Sequence, residues 1–470
     1  MSERKQIAII RDSDQLRAKL HNRIKVYEND WEDILDEEIK KQFVQETAAN
    51  ILLMLDTSQN VFRRIIRETT TVYNEPTERS MVSGENVVDV PRWDAILKEL
   101  RLDLIMGEAH NLAKAGTTAF LRVYTIPDAQ RMGIEIIPSD VVQVDLSPDD
   151  KTRPVGIGYK VIGTPKDKDR IWWVYYTADA RYFLDANGFH IGDPRADDNH
   201  DPTPEETVNR YGVIPIVPFH ANAVVRMFWR QNWNRDAYKA NILIGVLNTY
   251  LNFLVKTQSF KQIAFTGAKP TKELLNAISD PLYPLVVTGE NASAQVLDLN
   301  TRLEAIDSVI LGKIAAIANN YGISKDNFTI SGEVASGFSL RVASRALEEI
   351  RTSDKAVCYA TELGLFDVIR TINNIDFPGT PIGDEYELRW NPGEIEYPPT
   401  WEEEEKEWEF KFRHGIDDEV GFVMAHDPDI GEDEAVKQLE HIQERSATLN
   451  PPRSIQDEIL FPQEATGATG

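Results

Sequence analysis

Two apolar segments at helical spacing, Arg235 to Lys256 and Thr301 to Asn320, flank a short strand-rich insert (257–299), and a Gly/Ser loop then leads into a third, very long helical pattern. In the first segment Ala240, Leu243, Val246, Leu247, Tyr250 and Leu254 share a helical stripe, and as a helix it would run ~33 Å. The second opens on Thr301-Arg-Leu-Glu304, whose hydroxyl and carboxylate are spaced to satisfy a helix's first free amides, and ends near Gly322. The insert carries Gln262 to Thr266, a short Lys272 to Ile278 helix, Leu285 to Val287 and Gln295 to Leu297. A piece of ~40 residues is too small to fold by itself. The order of parts therefore predicts a protruding helical stalk whose tip takes support from neighbouring copies, rather than a closed substrate pocket.

The chain is long enough, at 470 residues with 42% hydrophobic content, to bury a sizeable core. Its single cysteine, Cys358, falls on the third helical pattern, so no intramolecular disulfide is possible and a small core residue in a reducing compartment is the natural reading. Met1-Ser-Glu-Arg-Lys is polar and no apolar stretch with a cleavage site follows, which predicts no secretory signal. The most apolar run, Ile242 to Val255, is interrupted by Asn248, Thr249 and Asn252 and falls short of the ~20 apolar residues a bilayer span needs. No membrane partner is expected.

Charge narrows the function classes. With 51 basic against 76 acidic residues the formal charge is −25, the wrong sign for a surface that grips phosphates by releasing their counterions. A passage for a polyanion is a different matter, since every strong phosphate contact would be a trap that translocation has to break.

Before the stalk, Ser13 to Arg67 predicts two or three helices and Trp93 to Ala115 one more, ended by a left-handed Gly116. The period then becomes two, predicting strands over Ala119–Tyr124, Ile134–Ile137, Val141–Leu146, Gly156–Ile162, Ile171–Tyr176 and Ala180–Leu184, with a hairpin turn at Asn187-Gly188. Asp193 to Glu206 reads as a polar surface loop. Tyr211 to Phe219 reads as a strand that Pro215 and Pro218 confine to a sheet edge or a strand end. After the Gly/Ser loop, Val342, Ala343, Ala346, Leu347, Ile350, Val357 and Ala360 continue a helix that can extend to Ile372, with a kink at Gly364 or near Thr352-Ser353. Tyr386 to Trp390 alternates as a returning strand. A second capping box, Thr400-Trp-Glu-Glu403, opens an acidic helical region to about Arg445, followed by a Pro/Gly-flavoured tail. The fold class is α+β.

No cofactor or metal site is expected. Gly267-Ala-Lys-Pro-Thr-Lys272 lacks the second glycine of a phosphate-binding loop, and Pro270 removes an amide such a cradle would use. Ser336 stands near a turn before a helix but without the glycine placement of a nucleophile elbow. Asp427 to Gln438 departs from a calcium loop at its fifth, sixth and twelfth positions, and His414, His426 and His441 have no metal-ligand spacing. The chain reads as a non-enzyme.

With these parts in order, the chain resembles the bacteriophage portal proteins, rings at one capsid vertex through which double-stranded DNA enters and leaves, over roughly Trp31 to Trp390. Besides the element order, the likeness rests on Gly212-Val-Ile-Pro215-Ile-Val-Pro-Phe219, similar to the Gly-x-x-Pro-x-x-x-Phe strand often found before the first stem helix, and on Ser331 to Arg345. The resemblance implies a wing over 1–233, stem helices at 234–256 and 301–324, a clip at 257–300 and a tunnel loop at 325–337. A long wing helix and returning strand would occupy 338–399, a crown 400–447 and a tail 448–470. It implies a dodecameric homo-oligomer in the virion, assembled in the host cytoplasm. Its partners would be the terminase large subunit, head-tail adaptors, and the major capsid and scaffolding proteins.

On that reading Ser331, Gly332, Glu333, Val334, Ala335, Ser336 and Gly337 form a DNA-facing loop whose small residues supply backbone freedom. Lys261, Lys269 and Lys272 would face the motor or adaptor at the clip. A solvated rim for the lysines and an ordinary interhelical loop for 331–337 are the plain alternatives. Two other functions stand beside the portal one: a metal-dependent nuclease using the acidic C-terminal region, and a different ring-forming structural protein.

Overall fold

The structure, a computed structural model, describes residues 15–126, 129–163, 167–195, 200–229, 234–258, 262–266, 293–297, 303–323, 337–394, 401–427 and 430–449. They fall into two units: residues up to Glu333 with Ala343–Ile395, and Val334–Val342 with Glu396 onward. The chain is a mixed α and β protein whose sheets are small and antiparallel.

The first unit begins with four helices, α1 (Gln15–Glu28), α2 (Glu32–Lys40), α3 (Gln45–Leu52) and α4 (Val61–Thr69), where the apolar spacing alone predicts two or three. The last is capped by Asn60, whose side-chain oxygen accepts from the Arg63 amide at 2.9 Å. A strand pair absent from the sequence reading follows, β1 (Thr77–Ser83) and β2 (Asn86–Val88), turning at Gly84 with φ 64°.

Two helices, α5 (Pro91–Leu100) and α6 (Leu102–Gly116), replace the single one expected, because Arg101 takes the left-handed conformation at φ 50°. The left-handed residue ending α6 is Thr117 at φ 71°, not Gly116. Gly116 is needed for space instead: a Cβ there would lie 2.5 Å from Ser139 Oγ.

Strands β3 (Thr118–Ile126), β4 (Arg131–Pro138), β5 (Val142–Leu146), β6 (Pro154–Ile162), β7 (Ile171–Tyr176) and β8 (Arg181–Asp185) fall on the predicted alternating runs, and β9 (His190–Ile191) adds a short edge. At the Asn187-Gly188 turn only the glycine uses positive φ, 84°, while the Asp185 carboxylate accepts from the amides of Asn187 and Phe189. The expected loop before Glu206 contains one helical turn, α7 (Pro204–Thr207), closed by a reciprocal capping box between Thr203 and Glu206.

β10 (Ile216–His220) is an edge strand of the β10-β3-β4 sheet, as its prolines require. The rest of the unit comprises α8 (Arg235–Gln258), β11 (Gln262–Thr266), β12 (Ser293–Leu297), α9 (Leu303–Asn320), α10 (Gly337–Asp376) from Ala343 onward, and β13 (Glu387–Pro392), the last pairing with β1. The second unit contains α11 (Trp401–His414), α12 (Glu419–His426) and α13 (Glu432–Leu449). There Trp408 packs on Phe422 at 5.1 Å, and His426 Nε2 lies 2.6 Å from Glu404 Oε1.

Burial follows from this layout. The central strand β3 turns Leu121 and Val123 toward a core shared with Trp93, Met106, Phe219 and Phe366, and Phe120 toward a second core under the β5–β9 meander with Trp172, Val174 and Phe183. A third core joins α1–α4 to α8 and α9 through Trp31, Leu35, Phe62, Ile65, Ile244, Ile310 and Ile314.

The long helix α10 runs unbroken through Thr352-Ser353 and Gly364. Its buried stripe is apolar late, at Leu365, Ile369 and Ile372, but polar early, at Arg351, Asp354, Thr361 and Glu362. Glu362 accepts two hydrogen bonds from Arg79, at 3.0 and 2.7 Å, and Arg79 also meets Asp103 at 2.6 Å. Burial alone would depress the Arg79 guanidinium's pKa, but Glu362 and Asp103 outweigh that and raise it. Asp354 accepts from Lys114 at 2.8 Å and stands 3.5 Å from His110 Nε2. Burial lowers the His110 pKa, against the pull of Asp354, and its ring stacks on Phe219 at 5.3 Å.

Candidate functional site

The two helices expected from the sequence are present as the α8/α9 pair, and both share a core with α1–α4. Asn234 opens α8 in the left-handed conformation at φ 53°, a strain a short polar side chain tolerates, and its amide donates to the Lys114 carbonyl at 2.8 Å. The 24 residues of α8 span ~36 Å. Gly245 permits a close approach of α2: a Cβ there would lie 2.7 Å from Cη2 of the fully buried Trp31.

The polar residues that interrupt the apolar run of α8 have specific partners in the chain between α3 and α4. Thr249 Oγ1 accepts from the Asp56 amide at 3.1 Å and donates to the Gly245 carbonyl at 2.8 Å. Asn248 donates to Gln59 at 3.1 Å and Asn252 to Asp56 at 3.0 Å. Nearer the start of the helix, Asn241 Oδ1 accepts from the Phe62 amide at 3.1 Å. These contacts fix α8 on the α1–α4 layer by hydrogen bonds that apolar packing could not specify.

Opposite runs α9, with Ile310, Ile314, Ile317 and Ala318 buried. Its C-terminus is a Schellman motif: the Ile323 amide donates to the Ala318 carbonyl at 3.0 Å, the Gly322 amide to that of Asn319 at 3.1 Å, and Gly322 has φ 67°. Tyr321 OH donates to Asp236 Oδ1 at 2.6 Å, so the end of α9 meets the start of α8 and the helices are antiparallel. At the other end their chain continuations pair as β11 and β12, with Gln262 opposite Leu297 and Thr266 opposite Ser293. The elements form one hairpin with a two-stranded ribbon.

Several apolar side chains of this hairpin are left uncovered among its polar ones. Leu243 and Val255 of α8 are 42% and 44% exposed, and Val309 and Leu311 of α9 are 50% and 44% exposed. The exposed charges are Arg235, Asp236, Lys239 and Lys256 on α8 and Glu304 and Asp307 on α9, where Lys313 is part-exposed.

Of the residues singled out in the sequence, Gly337 is the first residue of α10, while Ser331, Gly332, Glu333, Val334, Ala335 and Ser336 lie outside the described residues, as do Lys261, Lys269 and Lys272. The capping residues Thr301 and Thr400 and the Lys272 to Ile278 helix lie outside them too. What the structure adds is where α10 meets the end of α9: Ala346 packs so closely on Gly322 that a Cβ on the glycine would lie 2.4 Å from the alanine's. Sequence reasoning also missed the buried charges along α10, which nothing in a helical stripe distinguishes from solvated ones.

Among the described residues no group of three or more His, Cys, Asp or Glu side chains could hold a metal ion, and no helix is long and apolar enough to cross a membrane. No family model and no curated protein matches the sequence. Among solved structures, the chain is similar to one in the neck of an empty gene transfer agent particle computed with C6 symmetry. That match has 12% identity, covers 78% of this chain and 88% of the other, and has a TM-score of 0.39. A chain in the virion of a native gene transfer agent particle matches at 12% identity over 79% of this chain and 91% of the other, with a TM-score of 0.42. Likeness at this level leaves the role to be argued from the chain's own residues.

Proposed function

We propose that the chain is a non-catalytic subunit of a closed ring that conducts double-stranded DNA, of the bacteriophage portal kind. One observation carries the reading: the α8/α9 hairpin leaves Leu243, Val255, Val309 and Leu311 uncovered, and it exposes charges of both signs, Arg235, Asp236, Lys239 and Lys256 on α8 and Glu304 and Asp307 on α9. Uncovered apolar side chains ringed by charges of both signs suit contact with a neighbouring copy, and repeated head-to-tail contact closes into a ring when the rotation allows. The net charge of −25 per chain suits a channel wall that DNA passes without sticking.

In this reading twelve copies line a channel with their hairpins, residues 257–300 dock the terminase and later the head-tail adaptor through Lys261, Lys269 and Lys272, and 325–337 faces the DNA with Glu333. The energy for movement comes from the partner ATPase. Val309→Asp with Leu311→Asp tests the ring directly by sedimentation of the purified full chain. Folded monomers are expected from the variant and a large assembly from the parent; an unchanged assembly would contradict the hairpin interface.

A further inference from the structure

His426, the last residue of α12, has an acceptor in front of each ring nitrogen. Its Nδ1 lies 2.9 Å from the Phe422 carbonyl oxygen, and its Nε2 lies 2.6 Å from Glu404 Oε1 on α11. A carbonyl and a carboxylate only accept, whereas a neutral imidazole has a single N–H to donate. Both contacts are hydrogen bonds only when the pair holds a further proton, whether that proton sits on Nε2 or on Glu404. Without it, a bare nitrogen lone pair faces an oxygen at one of the two contacts.

The surroundings favour the extra proton. The ring stands at the C-terminal end of α12, where the helix dipole prefers positive charge. Among the described residues, Glu404 is the charged side chain that bears on it. On the same helix, Lys411 lies over the Trp408 ring at 4.3 Å and pairs with Glu407 at 2.8 Å. Glu419 is at the opposite end of α12, and none of the charges on α13 bears on the ring. The Phe422 carbonyl first, and Glu404 against the effect of burial, raise the imidazole above its ordinary 6.5.

Little else holds this hairpin closed. Trp408 and Ala435 are the buried apolar side chains among the described residues of the second unit, while Phe410, Phe412, Ile416 and Met424 stay exposed. The His426 ring lies 4.2 Å from Phe422, which in turn packs on Trp408. Where so few apolar contacts are buried, local opening takes little free energy, and one contact between helices can govern it.

We propose that His426 and Glu404 form a proton-operated clasp, which closes α12 onto α11 while the pair holds its extra proton and loosens the two helices when the proton leaves. Because the proton is held more tightly closed than open, the clasp is complete below pH 6.5 and is lost as pH rises through the raised value of the closed form. It lies within the second unit and does not depend on the ring reading.

The test uses the full-length chain and two readouts by mass spectrometry: deuterium exchange at the His426 Cε1 proton, whose rate follows titration of the imidazole, and amide exchange over residues 401–427, corrected for its intrinsic pH dependence. His426 should titrate above 6.5 in the parent and fall toward 6.5 in Glu404→Gln. Amide protection in the parent should drop across the same pH interval, and in His426→Gln it should no longer change there. Titration at or below 6.5, titration that Glu404→Gln leaves where it was, or amide protection indifferent to it would each overturn the clasp.

Discussion

Tyr321, at the end of α9, donates its phenol proton to Asp236, at the start of α8, across 2.6 Å. Burial and this carboxylate together keep the phenol protonated well above its ordinary range. The bond closes the end of the hairpin away from the β11/β12 ribbon. Tyr321→Phe keeps the ring and removes the donor, and should cost about 1 kcal/mol, because the site is half open to water. Chemical denaturation checks it; a neutral result would mean that α8 and α9 are held by packing alone.

Gly245 is a position where size matters. Gly245→Ala drives a methyl into the Trp31 ring and should destabilise by about 1–3 kcal/mol, even though alanine favours the helix. Adding Trp31→Phe should recover part of that loss, since the clash is with the outer edge of the indole. A double-mutant cycle in urea measures the coupling.

His220 should make the first unit acid-sensitive. Burial depresses its pKa from 6.5 to about 4, and its Nδ1 lies 3.0 Å from Thr118 Oγ1. Above pH 6.5 the imidazole is neutral both folded and unfolded and exacts no cost. As pH falls below 6.5 the unfolded chain takes up a proton that the folded chain refuses, so stability declines until about pH 4, by about 3 kcal/mol in total. His220→Gln should flatten that part of the pH profile.

Glu362 is the removal that should hurt most. Glu362→Leu alone strands the Arg79 guanidinium in a site where its side chain is 3% exposed, with Asp103 as its remaining partner, and should cost about 3–5 kcal/mol. The loss should exceed that of the paired exchange with Arg79→Met, and thermal unfolding of the three chains ranks them.

Periodicity made much of this fold readable. The strands from Thr118 to Asp185 and the helices from Arg235 onward appear where apolar residues recur at two and at about three and a half positions, because local burial dictates both. What escaped depends on distant partners. β1 alternates weakly and is a strand because β13, some three hundred residues later, pairs with it, placing Arg79 opposite Trp390. Arg101 breaks a continuous helical pattern by a backbone conformation that its side chain does not announce. Asn248, Thr249 and Asn252 were legible as interruptions of an apolar run, but their role as ligands of Gln59 and Asp56 needed the tertiary structure. The buried carboxylates of α10 were not legible at all, since a sequence does not record which charges water will reach.

The central claim is that the uncovered apolar side chains of the hairpin pack on neighbouring copies around a DNA-sized hole. Cryo-EM of the purified full-length chain tests it most directly. The account predicts closed rings with α8 and α9 of adjacent subunits in contact around a central opening that admits a duplex. A monomer with Leu243, Val309 and Leu311 in solvent at all concentrations, or an assembly that buries a different face, would contradict it.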